Sequence, residues 1–160
     1  MGELSHLDER GAARMVDVGD KQATQRRALA EGVLVTGPEV MSALREGRTP
    51  KGNVYETARL AGIMAAKRTS ELIPLCHNIP LDHVAVDFKA RPDRILIRAE
   101  AATRAATGVE MEALTAVAVA GLTLVDMLKA LSKGMVLERV RLVAKSGGRS
   151  GEWRAGGGEE

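Results

Sequence analysis

The chain is predicted to fold as an α+β protein, with a four-stranded antiparallel sheet and helices on one face. Three observations carry that expectation. Short apolar stretches bounded by turn residues recur at 32–36, 83–88, 94–100 and 135–144, the lengths and patterns of strands. One stretch, Ala113 to Val125, is apolar or small at every position, which reads as a helix buried on nearly all sides. The elements also follow the order strand, helices, strand, strand, helix, strand.

Residues 1–14 lack periodicity and are expected to be a mobile arm. Met15-Val-Asp-Val-Gly-Asp-Lys21 then leads into Thr24, Arg26 and Arg27, a polar, basic segment read as a solvated loop. The competing reading is an anion-binding arm that orders on a ligand. Gly32-Val-Leu-Val-Thr36 is a short strand. Gly37-Pro38 opens a helix with proline at its first position, and Gly47 closes it. Asn53 and Glu56 form a capping pattern for a helix from Val54 to about Thr69, which carries Leu60, Ile63, Met64 and Lys67 on one side. Lys51 sits just outside the positive end of that helix, where a bound anion would meet both amides and ammonium.

In Glu71-Leu-Ile-Pro-Leu-Cys-His-Asn-Ile-Pro-Leu81, two prolines bracket Cys76 and His77 inside an apolar run. Proline at both ends stiffens the backbone, and a polar pair on a rigid apolar loop suits a preformed site. Cys76 is read as a structural thiol and His77 as functional. His83–Phe88 and Arg94–Glu100 form a hairpin across Arg91-Pro-Asp93. The long helix follows, with Thr107-x-x-Glu110 as its capping box and Lys129 and Lys133 near its negative end. Asp126 is misplaced there by the dipole rule. It shares a face with Lys129, and its apolar sequence neighbours suggest a buried, mutually shifted pair. The last strand, Met135–Ala144, runs into the basic, glycine-rich Lys145-Ser-Gly-Gly-Arg149-Ser-Gly151. Residues 152–160 are expected to be a mobile tail, leaving 15–151 as a single domain. This order is the split β-α-β arrangement of ferredoxin-like domains, βαββαβ. Val84, Val86 and Phe88, with Leu137 and Val143 on neighbouring strands, are expected on the open sheet face, covered in part by oligomerisation.

Composition excludes several classes. At 160 residues the chain is long enough for a sizeable core, and its net charge of +2 is too modest for a general nucleic-acid footprint. One Trp, one Tyr and one Phe argue against base-stacking platforms. A single cysteine excludes an internal disulfide, and one cysteine with three histidines argues against an intrachain structural zinc site. The polar N-terminus and the shortness of the apolar core of the long helix point to a cytoplasmic protein that does not span a membrane.

The runs Lys51-Gly-Asn-Val54, Ala61-Gly-Ile-Met-Ala-Ala-Lys-Arg-Thr69, Leu72-Ile-Pro-Leu-Cys-His77, Gly108-Val-Glu-Met-Glu-Ala-Leu-Thr115 and Asp126-Met-Leu-Lys129 resemble the MoaC family. So do Met15-Val-Asp-Val18 and Lys145–Gly151, and the likeness covers about 15–151. The resemblance implies a lyase of molybdenum cofactor biosynthesis. Its substrate would be a cyclised dihydroguanosine triphosphate and its products cyclic pyranopterin monophosphate and diphosphate. It also implies a homohexamer, a trimer of dimers with sites at the dimer interface. By the same resemblance Asp126 and Lys129 are the acid/base pair, with Lys51 and His77 beside them. Leu75, Cys76, His77, Met111 and Glu112 line the substrate, and Lys21, Arg26 and Lys145 hold the triphosphate, with Arg149 a further candidate. No resident metal or cofactor is expected, Mg²⁺ being an optional companion of the triphosphate. Glu112 and Asp126 are fourteen residues apart, roughly 21 Å along one helix, so a compact site would take them from two chains. Two other readings compete: a cysteine hydrolase using Cys76 and His77, and a non-catalytic nucleotide-binding regulatory domain.

Overall fold

In the computed structural model, which describes residues 5–156, nine elements follow one another. They are β1 (Thr24–Val35), α1 (Pro38–Arg45), α2 (Val54–Lys67), α3 (Thr69–Leu72), β2 (His83–Ala90), β3 (Arg94–Ala105), α4 (Glu110–Leu128), β4 (Val136–Ser146) and β5 (Trp153–Arg154). The strands form one sheet in the order β2-β3-β1-β4-β5, and every neighbouring pair is antiparallel. The α+β class holds, but the sheet has five strands where four were expected. β5 is a two-residue addition, pairing Trp153 with Lys145 and Arg154 with Ala144. It was too short to leave a pattern in the sequence. Positions 1–4 of the expected arm and 157–160 of the expected tail lie outside the described residues.

Burial follows from side-chain alternation along the strands. Ala28, Ala30 and Leu34 of β1 stand opposite Ala101, Ala99 and Ile95 of β3, and all six point into the core. There they meet Ala113, Ala116, Val117, Ala120 and Leu124 of α4, each with no exposed surface. Val84, Val86 and Phe88 of β2 and Leu137 of β4 belong to this covered face, contrary to their expected place on the open one. The open face instead carries Glu31, Val33, Leu96 and Arg98 around a hollow of about 490 Å³.

α2 packs along α4 through its small residues. A side chain at Gly62 would begin 2.9 Å from the Ala116 carbonyl oxygen and 3.2 Å from Ala120 Cβ, so the close approach depends on glycine there. The larger Leu60 and Met64 consequently face outward. Asn53 caps α2 as its sequence predicted, its side chain accepting from the Glu56 amide at 3.1 Å. The capping box predicted for α4 does not form. Val109 is the N-cap residue and no side chain caps the helix, because Glu110 is drawn into an ion pair with Lys145. α4 is long and apolar enough by composition to cross a bilayer, but more than half of that stretch is buried against the sheet and α2, as in a core helix.

Candidate functional site

The predicted site residues gather at the two ends of α4. At its C-terminal end the carboxylate of Asp126 lies between two ammonium groups. Lys129 Nζ donates to Oδ1 at 2.7 Å and Lys51 Nζ to Oδ2 at 3.1 Å. Lys51 also donates to the Asp126 carbonyl oxygen at 3.1 Å, so it meets one of the carbonyls left unpaired where the helix stops. Lys51 is carried there by the turn before α2, whose packing on α4 fixes the approach. Contact with Lys129, and then with Lys51, holds the Asp126 carboxyl below its ordinary range.

Contrary to the expectation of a buried pair, both side chains lie at the surface. The side chains of Asp126 and Lys129 are 56% and 59% exposed within the single chain. Residues adjacent in a helical sequence point about 100° apart, so Met127 enters the core while Asp126 faces out. Lys51, Lys129 and Lys133 border a shallow concavity of about 480 Å³, a positive surface suited to an anion.

At the N-terminal end of α4 a cleft of about 400 Å³ is lined by Leu75, Cys76 and His77 from the proline-bounded loop, Met111 and Glu112 from α4, and Lys21. His77 Nε2 lies 2.6 Å from the Val16 carbonyl oxygen. A carbonyl only accepts, so Nε2 carries a proton and Nδ1 is the remaining polar position. Glu112 is 5% exposed. Burial, reinforced by the negative charge of Glu110, pushes its carboxyl up to about 7, against a weaker opposing hydrogen bond to its own backbone. Glu112 is thus a carboxyl able to give or take a proton near neutrality. Burial also raises the Cys76 thiol, as does the charge of Glu112, which disfavours a thiolate nucleophile and leaves the hydrolase reading without its activated group.

Lys145 pairs with Glu110 at 3.0 Å, beside the cleft. Arg26 Nη2 donates to the carbonyl of Ala106 at 3.3 Å, immediately before the cleft residues Thr107 and Gly108. Arg149 is exposed on the loop beyond β4. The structure therefore brings Lys51, Asp126 and Lys129 together, and separately groups His77, Leu75, Cys76, Met111, Glu112 and Lys21 with Arg26 and Lys145 nearby. His77 is not beside Asp126 within one chain. Among the described residues no three His, Cys, Asp or Glu side chains converge as a metal site.

Sequence reasoning missed two participants. Val16 orients His77 through its main chain, which no side-chain pattern reveals. Glu110 was assigned to helix capping, whereas it lines the cleft and holds Lys145. A lysine elsewhere in the chain without an obvious local partner was the available signal.

Residues 15–148 match the MoaC family. A relative from Thermomicrobium roseum, named cyclic pyranopterin monophosphate synthase, is 57% identical over 156 residues, covering 96% of this chain and 94% of the relative. Proteins of the same name from Novosphingobium aromaticivorans and Methylobacterium sp. (strain 4-46) are 56% and 57% identical. Those alignments cover 97% of this chain in each case and 99% and 98% of the respective relatives.

Proposed function

The chain belongs to the MoaC family, and from that premise we propose that it is a cyclic pyranopterin monophosphate synthase, an enzyme of molybdenum cofactor biosynthesis. It converts (8S)-3',8-cyclo-7,8-dihydroguanosine 5'-triphosphate into cyclic pyranopterin monophosphate and diphosphate. The observation in the geometry that carries this reading is the Asp126 carboxylate held between Lys51 and Lys129. Rearranging a purine-derived ring and closing a cyclic phosphate need proton transfers at neutral pH. An ammonium–carboxylate–ammonium set and a Glu112 carboxyl that exchanges its proton near neutrality supply donors and acceptors for them. Lys21, Arg26 and Lys145 neutralise the triphosphate and the departing diphosphate as fixed counter-charges. His77, oriented by Val16, and Met111 with Leu75 and Cys76 form the wall against which the ring system lies. Mg²⁺ remains an optional companion of the phosphates.

The catalytic unit is a dimer, and the assembly a cytoplasmic homohexamer of three such dimers. Two half-sites at opposite ends of a 19-residue helix support this, as do the exposed apolar side chains of Leu60 and Met64 on α2 and Leu122 on α4. The order β2-β3-β1-β4 with antiparallel neighbours supports placing the fold among ferredoxin-like domains, with β5 as an addition. The reading as a non-catalytic nucleotide-binding domain draws no support from relatives named as synthases. The deciding experiment incubates the purified chain with the cyclised triphosphate and follows both products. One diphosphate per cyclic pyranopterin monophosphate is expected, and saturable binding with no product would overturn the assignment.

A further inference from the structure

β1 places Thr24 and Arg26 two residues apart, on one face of the strand. Each carries a buried polar atom without a hydrogen-bond partner, the Thr24 hydroxyl and Arg26 Nε. Buried donors are ordinarily paired, so two adjacent orphans mark a place where an acceptor is still to come. The rest of the Arg26 guanidinium is held. Nη2 is tied to the Ala106 carbonyl, and Gly148, from the loop after β4, lies against the group. A Cβ at Gly148 would come within 2.6 Å of Arg26 Cζ and overlap Nη1. The loop turns there with φ of +93° at Gly147 and +75° at Gly148, the left-handed region in which glycine is at ease.

We propose that Gly148 is a positioning residue that seats the Arg26 guanidinium. The seat leaves Arg26 Nε and the Thr24 hydroxyl as paired donors for one phosphate oxygen of the triphosphate. The inference rests on the reading of Arg26 as a triphosphate contact and adds to it a reason for the glycine-rich loop and a role for Thr24. A side chain at position 148 pushes the guanidinium off its seat, so the loss appears in substrate capture and only through Arg26.

The test uses the intact chain, the cyclised triphosphate as substrate and diphosphate as inhibitor, comparing Arg26→Ala, Gly148→Asn, their combination, and Thr24→Val. Asparagine tolerates the left-handed backbone, so Gly148→Asn keeps the loop while adding the obstructing Cβ. Arg26→Ala is expected to raise KM about ten-fold, more than it lowers kcat, as the loss of a charged hydrogen bond would. Gly148→Asn should raise KM several-fold and weaken diphosphate inhibition in parallel, and it should add nothing in the Arg26→Ala background. Thr24→Val, which removes only the hydroxyl, should raise KM at an unchanged thermal midpoint. If Arg26→Ala leaves KM unaltered, the triphosphate reading of Arg26 falls. If Arg26→Ala raises KM but Gly148→Asn does not, or if the two effects multiply, Gly148 does not act through Arg26 and the positioning role is overturned. A normal KM for Thr24→Val, at an intact midpoint, removes the paired donor.

Discussion

Lys51 donates to both the carboxylate and the carbonyl of Asp126, so its ammonium group serves two acceptors at once. Replacing it with alanine leaves the Asp126–Lys129 contact in place and removes one member of the proposed proton-transfer set. Lys51→Ala is expected to lower kcat by roughly a hundred-fold or more while substrate binding changes by less than ten-fold. Steady-state kinetics with equilibrium binding would show it, and near-normal turnover would remove Lys51 from the mechanism. Glu112 makes a different prediction, because burial rather than contact governs it. Its folded value of about 7 exceeds the ordinary carboxyl value of 4.5. The native chain therefore keeps a proton that the unfolded chain releases between those two values. The resulting stability is complete below the lower value and is lost as pH rises through the upper one. Glu110, Cys76, His77 and Lys21 surround the same cleft. Between pH 5 and pH 8 the wild-type chain should lose up to about 3 kcal/mol that Glu112→Gln does not lose. Urea unfolding of both chains at the two pH values measures the difference, and parallel curves would show that Glu112 is not held neutral.

At the scale of elements, the contact between α2 and α4 positions Lys51 against Asp126, and Gly62 sets its closeness. Gly62→Val forces side-chain atoms against the Ala116 carbonyl and Val86 and is expected to cost about 1–3 kcal/mol. Activity should fall with it as Lys51 moves away from Asp126. A denaturant midpoint unchanged from wild type would show that the helices separate freely. The same contact explains what the sequence made legible. The capping pattern of Asn53 and Glu56 marked the start of α2, and the uninterrupted apolar stretch of α4 announced its burial. Strand β1 was read only from Gly32 onward, because Thr24-Gln-Arg-Arg27 looks like a solvated loop. Its pairing with β3 starts at Thr24 opposite Ala105 and is imposed from outside the segment. The α4 capping box failed for a similar reason, since Lys145, thirty-five residues later, claims the Glu110 carboxylate. Local patterns hold where the partner is local, as at Asn53, and fail where a distant side chain competes.

For the whole molecule, the separation along α4 is the decisive quantity. Glu112 and Asp126 stand about 21 Å apart on one rigid helix, too far for both to serve the proposed reaction at one site of a single chain. The sequence spacing already contained that distance. What it concealed was the exposure of Asp126 and Lys129, which leaves their outer surface free for a second chain to complete. A two-fold arrangement would bring the Asp126 end of one α4 to the Glu112 end of the other and make two equivalent sites. Co-expressing Asp126→Asn chains with Glu112→Gln chains tests this directly. In a mixed dimer one site collects both lesions and the other collects none. Random pairing makes half the dimers mixed, so about a quarter of all sites should be intact. Turnover near a quarter of wild type, from two chains that are each inactive alone, is the expected result. If each site were built within one chain, every site in the mixture would carry a lesion and no activity would return.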